Sequence, residues 1–241
     1  MSENIPRLYL LPNLLDESQD AAELLPPSVR KAVLQLDGLI AESEKAGRRY
    51  LRRFLSHEEM AAMPLALYNE HTQELDLPLL LQKILLGQTW GLISDLGLPC
   101  LADPGSKLVW LARKAGIAVE AILGPSAIIL ALMLSGLEGQ RFAFHGYLPK
   151  EEGEAVKVIA GLEKRSSLEK STQFWIEAPY RSLRMLELLK RQLKPNTLLC
   201  VAKNISLPLQ EVITQPVSKW QSSSFVMGKE PAVFLLFAPS V

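Results

Sequence analysis

The sequence predicts an α/β protein of two domains. The first carries a mostly parallel sheet with helices on both faces, and the second is a mixed-sheet α+β domain. Three observations predict this. Short apolar runs alternate with segments of helical period through the first half, the pattern of repeated strand–helix–strand units. Gly and Pro mark the junctions between them. Toward the end, strands follow one another more directly, which predicts antiparallel pairing. A turn-rich joint at Gly136–Gln140 sets the expected division at 1–137 and 138–241, with a natural cleft expected between the two.

Arg7–Leu11 reads as the first strand, and Pro27 suits a helix start before Val29, Val33, Leu34 and Leu36. Gly38 breaks that helix, Leu39–Ala41 is a short strand, and Glu44–Leu55 is helical. Leu65–Tyr68 reads as a strand and Leu75–Leu86 as a helix closed by Gly87. Thr89–Ser94 is the strongest strand of this half. Ser106–Ala115 is a helix, Ile117–Leu123 a strand and Ser126–Ser135 an almost wholly apolar helix. Beyond the joint come strands at Phe142–His145, Gln173–Ile176, Leu198–Ala202, Leu209–Thr214 and Val233–Phe237. Helices are expected around Glu151–Lys164 and Tyr180–Leu193.

Composition narrows the classes. The 241 residues hold 26 Lys plus Arg and 26 Asp plus Glu, so no global field attracts nucleic acid or an acidic surface. The 48% hydrophobic fraction is that of a globular chain, and no apolar run is long enough to span a membrane. The start lacks a basic n-region, so a cytoplasmic location is expected. Cys100 and Cys200 sit in apolar strings and read as buried reduced thiols. His57, His71 and His145 lack partners at ligand spacing, so no metal site is expected.

In open parallel sheets, ligands bind beyond the carboxyl ends of strands. That directs attention to the loops after Leu11, Ser94 and Leu123. The second of these, ISDLGLPCLADPGS at 93–106, holds two turns of the form Asp-x-Gly. Glycine lets backbone approach a ligand, and Asp at a strand end accepts hydrogen bonds from ribose hydroxyls or an amine. The plainer reading is a pair of turns with Asp103 capping the next helix. Leu123–Ala127 (LGPSA) adds a helix N-terminus and the Ser126 hydroxyl. G-x-G-x-x-G and G-x-x-x-x-G-K-[ST] are both absent.

LYLLP at 8–12, LISDLGLPCLADPGSKLV at 92–109, LGPSAIILALMLSGL at 123–137, FAFHGYLPK at 142–150 and IEAPYRSL at 176–183 occur in the order of one family. The chain resembles the tetrapyrrole (corrin/porphyrin) methylase superfamily. Within it, the chain is most similar to the ribosomal RNA small subunit methyltransferase I type, which methylates a ribose 2′-hydroxyl. The resemblance covers nearly the whole chain and implies a two-domain tetrapyrrole-methylase-like fold, S-adenosylmethionine as cofactor and a homodimer. By motif match it implies cofactor contacts from Pro12, Asp95, Gly97, Pro99, Asp103, Gly105, Ser126 and Ala127. From the second domain it implies Tyr147, Leu148, Ala178, Pro231 and Ala232. The pattern departs at PNLLDESQD, where the family reads PIGNLxD, and at Ala41–Lys45, where it reads AEDTR.

A hydroxyl nucleophile needs its proton removed or polarised. Glu177 and Lys203 are the candidate catalytic residues, chosen by their place in family motifs, with outward ion-pairing residues as the alternative. Lys45, Arg48, Arg49, Arg52 and Arg53 put five cations in nine residues. They either grip RNA phosphates or form a solvated face beside Glu58 and Glu59. A second basic strip, Arg181, Arg184, Lys190, Arg191 and Lys194, is expected on the surface of a helix whose Leu183, Leu186, Leu189 and Leu193 face the core. The expected activity is S-adenosylmethionine-dependent methyl transfer to an rRNA ribose, with RNA or the ribosomal subunit as partner. A small-molecule methylase and a catalytically impaired cofactor-binding protein are the alternatives.

Overall fold

Alternation along the first strand, β1 (Arg7–Leu10), organises the first half of the chain. Leu8 faces one apolar cluster, and Tyr9 and Leu11 face another. The computed structural model describes residues 6–222 and 225–239. In chain order, α1 (Ala21–Leu24), α2 (Pro27–Val33), β2 (Gly38–Ala41), α3 (Glu44–Leu51), α4 (His57–Ala62), β3 (Leu65–Leu67) and α5 (Leu77–Leu85) follow β1. Then come β4 (Thr89–Leu92), α6 (Ser106–Lys114) and β5 (Ala118–Ala121). The strands form one parallel sheet in the order β3-β2-β4-β1-β5.

Helices cover both faces, as expected. Tyr9, Leu39, Ala41 and Ile93 pack with Val29 and Val33 of α2 and Tyr50 and Leu51 of α3. Leu8, Ile40, Trp90 and Leu92 pack with Leu77, Leu81 and Ile84 of α5 and Leu108 and Ala112 of α6. A consequence follows for the adjacent strands β1 and β4. The chain leaves β1 toward the α2 face and leaves β4 toward the α6 face. Their loops diverge, which is the topological switch point where open α/β sheets form a crevice.

The second unit by its internal contacts is Ala127–Val241, and the first is Met1–Ser126. The helix α7 (Ala127–Ser135) therefore belongs to the second unit, whereas the 137/138 division drawn from the sequence leaves it in the first. After it come β6 (Phe142–Tyr147), α8 (Glu152–Glu169), β7 (Thr172–Glu177), α9 (Ser182–Gln192), β8 (Leu198–Lys203), β9 (Glu211–Pro216), α10 (Val217–Trp220) and β10 (Ala232–Phe237). The sheet order is β6-β7-β10-β8-β9, with β6 and β7 parallel and the remaining pairs antiparallel. On one face, Trp175 stacks on Phe234 at 6.0 Å beneath α8, α9 and α10. On the other, α7 lies over β8, β9 and β10, and the Thr214 hydroxyl donates to Ser135 O at 2.7 Å.

Several sequence expectations shift in detail. The last antiparallel edge strand begins at Glu211 rather than Leu209, and α1, α4 and α10 are short helices that periodicity missed. Cys200 is buried, but Cys100 is half-buried in a left-handed turn conformation. Leu183 is exposed, because Met185, Leu186, Leu188 and Leu189 supply the buried face of α9. Among the described residues, no helix is long and apolar enough to cross a membrane.

Two glycines test the packing in opposite directions. A Cβ on Gly38 would sit 2.5 Å from the Trp90 ring, whereas one on Gly161, inside α8, meets nothing within 4 Å. Gly38→Ala should cost about 1–3 kcal/mol by urea unfolding. Gly161→Ala should stabilise by roughly 0.5–1 kcal/mol.

Candidate active site

The loop 93–106 is folded against its own local preference. Gly97 and Gly105 take φ of 67° and 149°, and Cys100 and Ala102 take 68° and 67° without being glycines. Non-glycine residues in that region cost of order 1–3 kcal/mol each and persist only where the surroundings over-determine them. Gly105 is obligatory: a Cβ there would collide with Cys100 Sγ and press on Leu92. It also serves as the N-cap of α6 without a side-chain bond. Asp103 is therefore not the helix cap that the plainer reading makes it, and its carboxylate is left for other work.

The loop after β1 is stitched to this one. Asn13 N donates to Gly97 O at 2.7 Å and Gly97 N donates to Leu14 O at 3.0 Å. The Asn13 amide donates to Ser94 O at 3.0 Å and Asp95 O at 2.8 Å. Its Oδ1 accepts from Leu14 N at 2.9 Å and from the Arg53 guanidinium at 2.7 Å. Pro12 is held by Tyr50, whose hydroxyl donates to Pro12 O at 3.2 Å. Gly124 presses so closely on the Pro12 ring that no Cβ fits between them. Pro12, Asp95, Gly97, Pro99, Asp103 and Gly105 thus share one corner at the carboxyl ends of β1 and β4, and Gly124 ties the 123–126 segment to it.

Carboxylates converge on that corner. Glu42, just beyond β2, accepts from Asp95 N at 3.0 Å. Burial first, then repulsion from Asp103, Asp95 and Glu70, pushes the Glu42 carboxyl above its ordinary range. Asp103 is raised likewise, by burial and then by Asp95, against the Ser94 hydroxyl that favours its charge. Glu42 is the site residue that sequence reasoning passed over. Its signal was its place immediately after the second strand.

In the second unit, the remaining candidates gather at one end of the sheet. Tyr147 ends β6, Leu148 follows it, Ala178 follows β7, and Pro231 and Ala232 start β10. Ser182 Oγ joins Ala178 O and Glu230 O, both at 3.1 Å. Glu177, Ala232, Lys203 and Glu211 form one cross-strand row. Glu177 is fully buried and pairs with Arg181 at 3.0 Å, and burial raises its carboxyl despite the Ala178 N–H and Arg181. Lys203 donates to Val226 O at 2.6 Å, pairs with Glu211 at 3.1 Å and lies 4.8 Å from the Phe225 ring centre. Neither is the outward ion-pairing residue of the alternative reading, since both side chains turn inward.

The basic residues have internal duties as well. Arg48 donates to the carbonyls of Met60 and Met63 at 2.6 and 2.8 Å, closing the C-terminal end of α4. Arg49 pairs with Glu17, and half-buried Arg53 holds Asn13. Lys45 and Arg52 are exposed. Glu59 does not pair with this face; it completes a capping box with Ser56. Arg181 leaves the surface strip and anchors Leu148 O and Pro149 O, at 3.1 and 3.0 Å. Among the described residues, no group of three or more His, Cys, Asp or Glu is placed to hold a metal ion.

The fold is similar to that of solved structures at low sequence identity. Uroporphyrin-III-C-methyltransferase from Thermus thermophilus aligns with a TM-score of 0.55, at 16% identity over 96% of this chain and 92% of that one. Diphthine synthase aligns with a TM-score of 0.59, at 15% identity over 96% of this chain and 89% of that one. No family model matches the chain. Sequence relatives narrow the class. Ribosomal RNA small subunit methyltransferase I of Escherichia coli O157:H7 is 32% identical over 220 residues, covering 88% of this chain and 70% of that protein. The protein of the same name from Vibrio cholerae is 29% identical, covering 87% and 71%. The chain belongs to the ribosomal RNA small subunit methyltransferase I family and is a methyltransferase.

Asn13→Ala leaves two loop carbonyls and Arg53 without partners and should cost about 1–3 kcal/mol in urea unfolding. Glu42→Gln keeps an acceptor for Asp95 N and removes the charge. A carboxyl raised in the folded state contributes stability below its unfolded pKa and loses it as pH rises through the folded value. Thermal scans should therefore show the Glu42→Gln variant melting above the wild type at neutral pH, with the gain disappearing in acid.

Proposed function

We propose that the chain transfers the methyl group of S-adenosylmethionine to a ribose 2′-hydroxyl of small-subunit ribosomal RNA, as a homodimer in the cytoplasm. The observation that carries this is the meeting of Glu42, Asp95 and Asp103 at the switch point of a chain of this family. Converging carboxylates, two of which (Glu42 and Asp103) are raised by burial and neighbouring negative charge, favour a cationic ligand, and S-adenosylmethionine carries a sulfonium and an ammonium. The glycines of loop 93–106 let its backbone approach, and exposed Asp95 is free to receive ribose hydroxyls. The donor set therefore fits the cofactor.

The cofactor supplies an activated methyl group when bound. The chain's part is alignment. The Asn13 tether and the over-determined turns at Cys100 and Ala102 fix the loop before any ligand arrives, so little ordering remains to be done. Alignment of this kind is worth about 7–11 kcal/mol in favourable cases. Tyr147, Leu148, Ala178, Pro231 and Ala232 are the residues of the second unit assigned to the same cofactor, and Ser126 and Ala127 those of the connecting turn. Glu177 and Lys203 remain the candidates for handling the acceptor's proton. A small-molecule acceptor is the second reading, favoured by the internal commitments of Arg48, Arg49 and Arg53, which remove them from a phosphate-gripping face.

Calorimetry should show saturable S-adenosylmethionine binding, weakened roughly 10- to 100-fold by Asp103→Asn, the range of a lost charged hydrogen bond. An absence of binding would end the cofactor assignment. Nucleosides of ribosomal RNA from a deletion strain should lack one 2′-O-methyl mark, restored by the wild-type gene. Unchanged methylation would move the acceptor to the second reading.

A further inference from the structure

The outer side of α3 is cationic over two turns. Lys45, Arg48, Arg49 and Arg52 recur at the spacing that puts side chains on one helical face. The opposite side, Ala46, Gly47, Tyr50 and Leu51, is buried. With Met60 of α4, the four cations line a concavity of about 270 Å³. In a chain of zero formal net charge this is a local positive field. Its reach shows at the neighbouring Arg53. Burial first, then the charges of Arg49 and Arg52, lowers that guanidinium from its ordinary value, against the opposing charges of Tyr50 and Glu17.

The four cations differ in what they are free to do. Arg48 spends Nη1 on the Met60 and Met63 carbonyls, and Arg49 pairs with Glu17. Carbonyls carry no net charge and Glu44 lies 3.8 Å from Arg48 Nε, so Arg48 stays a fixed positive charge without being a free ligand. Lys45 and Arg52 are exposed and, among the described residues, have no hydrogen-bond or ion-pair partner. Lys45 with Arg49, and Arg48 with Arg52, are like-charge pairs at i,i+4, which destabilise a helix. An anion laid across the face relieves both.

The setting selects the anion. The helix borders the carboxylate corner: Glu42 precedes it by two residues, and Arg53, next after its C-cap, donates to Asn13 Oδ1 at 2.7 Å. A polyanion on this face therefore lies beside the corner that the acceptor must approach. The rise from Lys45 to Arg52 is about 10 Å along the axis, a length that a run of phosphates can follow. We propose that the outer face of α3 receives the sugar–phosphate backbone of the substrate RNA, gripped by Lys45 and Arg52 in the standing field of Arg48. The assignment rests on the RNA reading above and adds where the strand lies. Phosphate contacts position a strand and carry no sequence information, so this face reads no base.

The test is equilibrium binding of the full chain to oligouridylate and oligoadenylate of equal length, over about 50 to 200 mM salt. Lys45→Gln and Arg52→Gln should each weaken both oligonucleotides roughly fivefold, the upper range for an exposed ion pair. Each should also lower the slope of log affinity against log salt by about 0.7, the share of one phosphate on a single strand. The double variant should lose about 25-fold. Lys45→Arg and Arg52→Lys, which keep the charge, should keep the wild-type slope. Neither side chain has a partner to lose, so urea midpoints should not move. Wild-type affinity and slope in the double variant would overturn the face while the RNA reading stands. A loss confined to one of the two oligonucleotides would make the contact a base contact and overturn it as well. Equal affinity for a polyglutamate peptide of the same charge, with equal loss in the variants, would make this a face for acidic protein and overturn the RNA assignment. Failure of the wild type to bind either oligonucleotide or isolated small-subunit RNA would end both.

Discussion

The Asn13 carboxamide joins the two loops on which the active corner depends. It uses its full hydrogen-bonding capacity: two N–H donors go to the Ser94 and Asp95 carbonyls, and its oxygen accepts from Leu14 N and Arg53. An amide is the side chain that donates twice and accepts twice in one plane. Aspartate would set an oxygen against two carbonyls, and an aliphatic residue would strand all four groups. Since β1 and β4 send their chains to opposite faces of the sheet, nothing in the sheet itself ties these loops together. The Asn13 carboxamide does so, together with the backbone pairs Asn13 N–Gly97 O and Gly97 N–Leu14 O.

The charge at that corner has a cost in stability. Glu42 is raised by burial and by the charges of Asp103, Asp95 and Glu70, and Asp103 by burial and by Asp95, so a folded chain at neutral pH carries unfavourable charge there. Such an arrangement is retained where a ligand of opposite charge relieves it. In the sheet of the second unit, the row Glu177–Ala232–Lys203–Glu211 is nearly closed upon itself, except at Glu177 Oε2. The first unit carries a concentrated negative field on rigid turns, and the second an ion-pair row with one buried, unpartnered oxygen.

Much of the fold was legible because β1, β2 and β4 alternate apolar side chains between two clusters, and Gly and Pro mark the breaks. The turns of loop 93–106 were legible for the same reason: Asp and Gly recur where a strong strand ends. Its backbone was not legible, because Cys100 and Ala102 adopt left-handed conformations that only tertiary contacts enforce. Nor were the fates of the cations. Arg48, Arg53 and Arg181 look like surface charges in the sequence, yet each answers carbonyl or amide oxygens brought near by folding. The helix α7 gave no directional signal, since apolar residues surround it on all sides, and its unit could be known only from what it packs against.

Backbone hydrogen exchange with and without S-adenosylmethionine tests the central claim most directly. In the first unit, added protection should concentrate in 12–15 and 93–106, with the β3 edge and α5 unchanged. Protection that spares these two loops while appearing elsewhere in that unit would contradict the account.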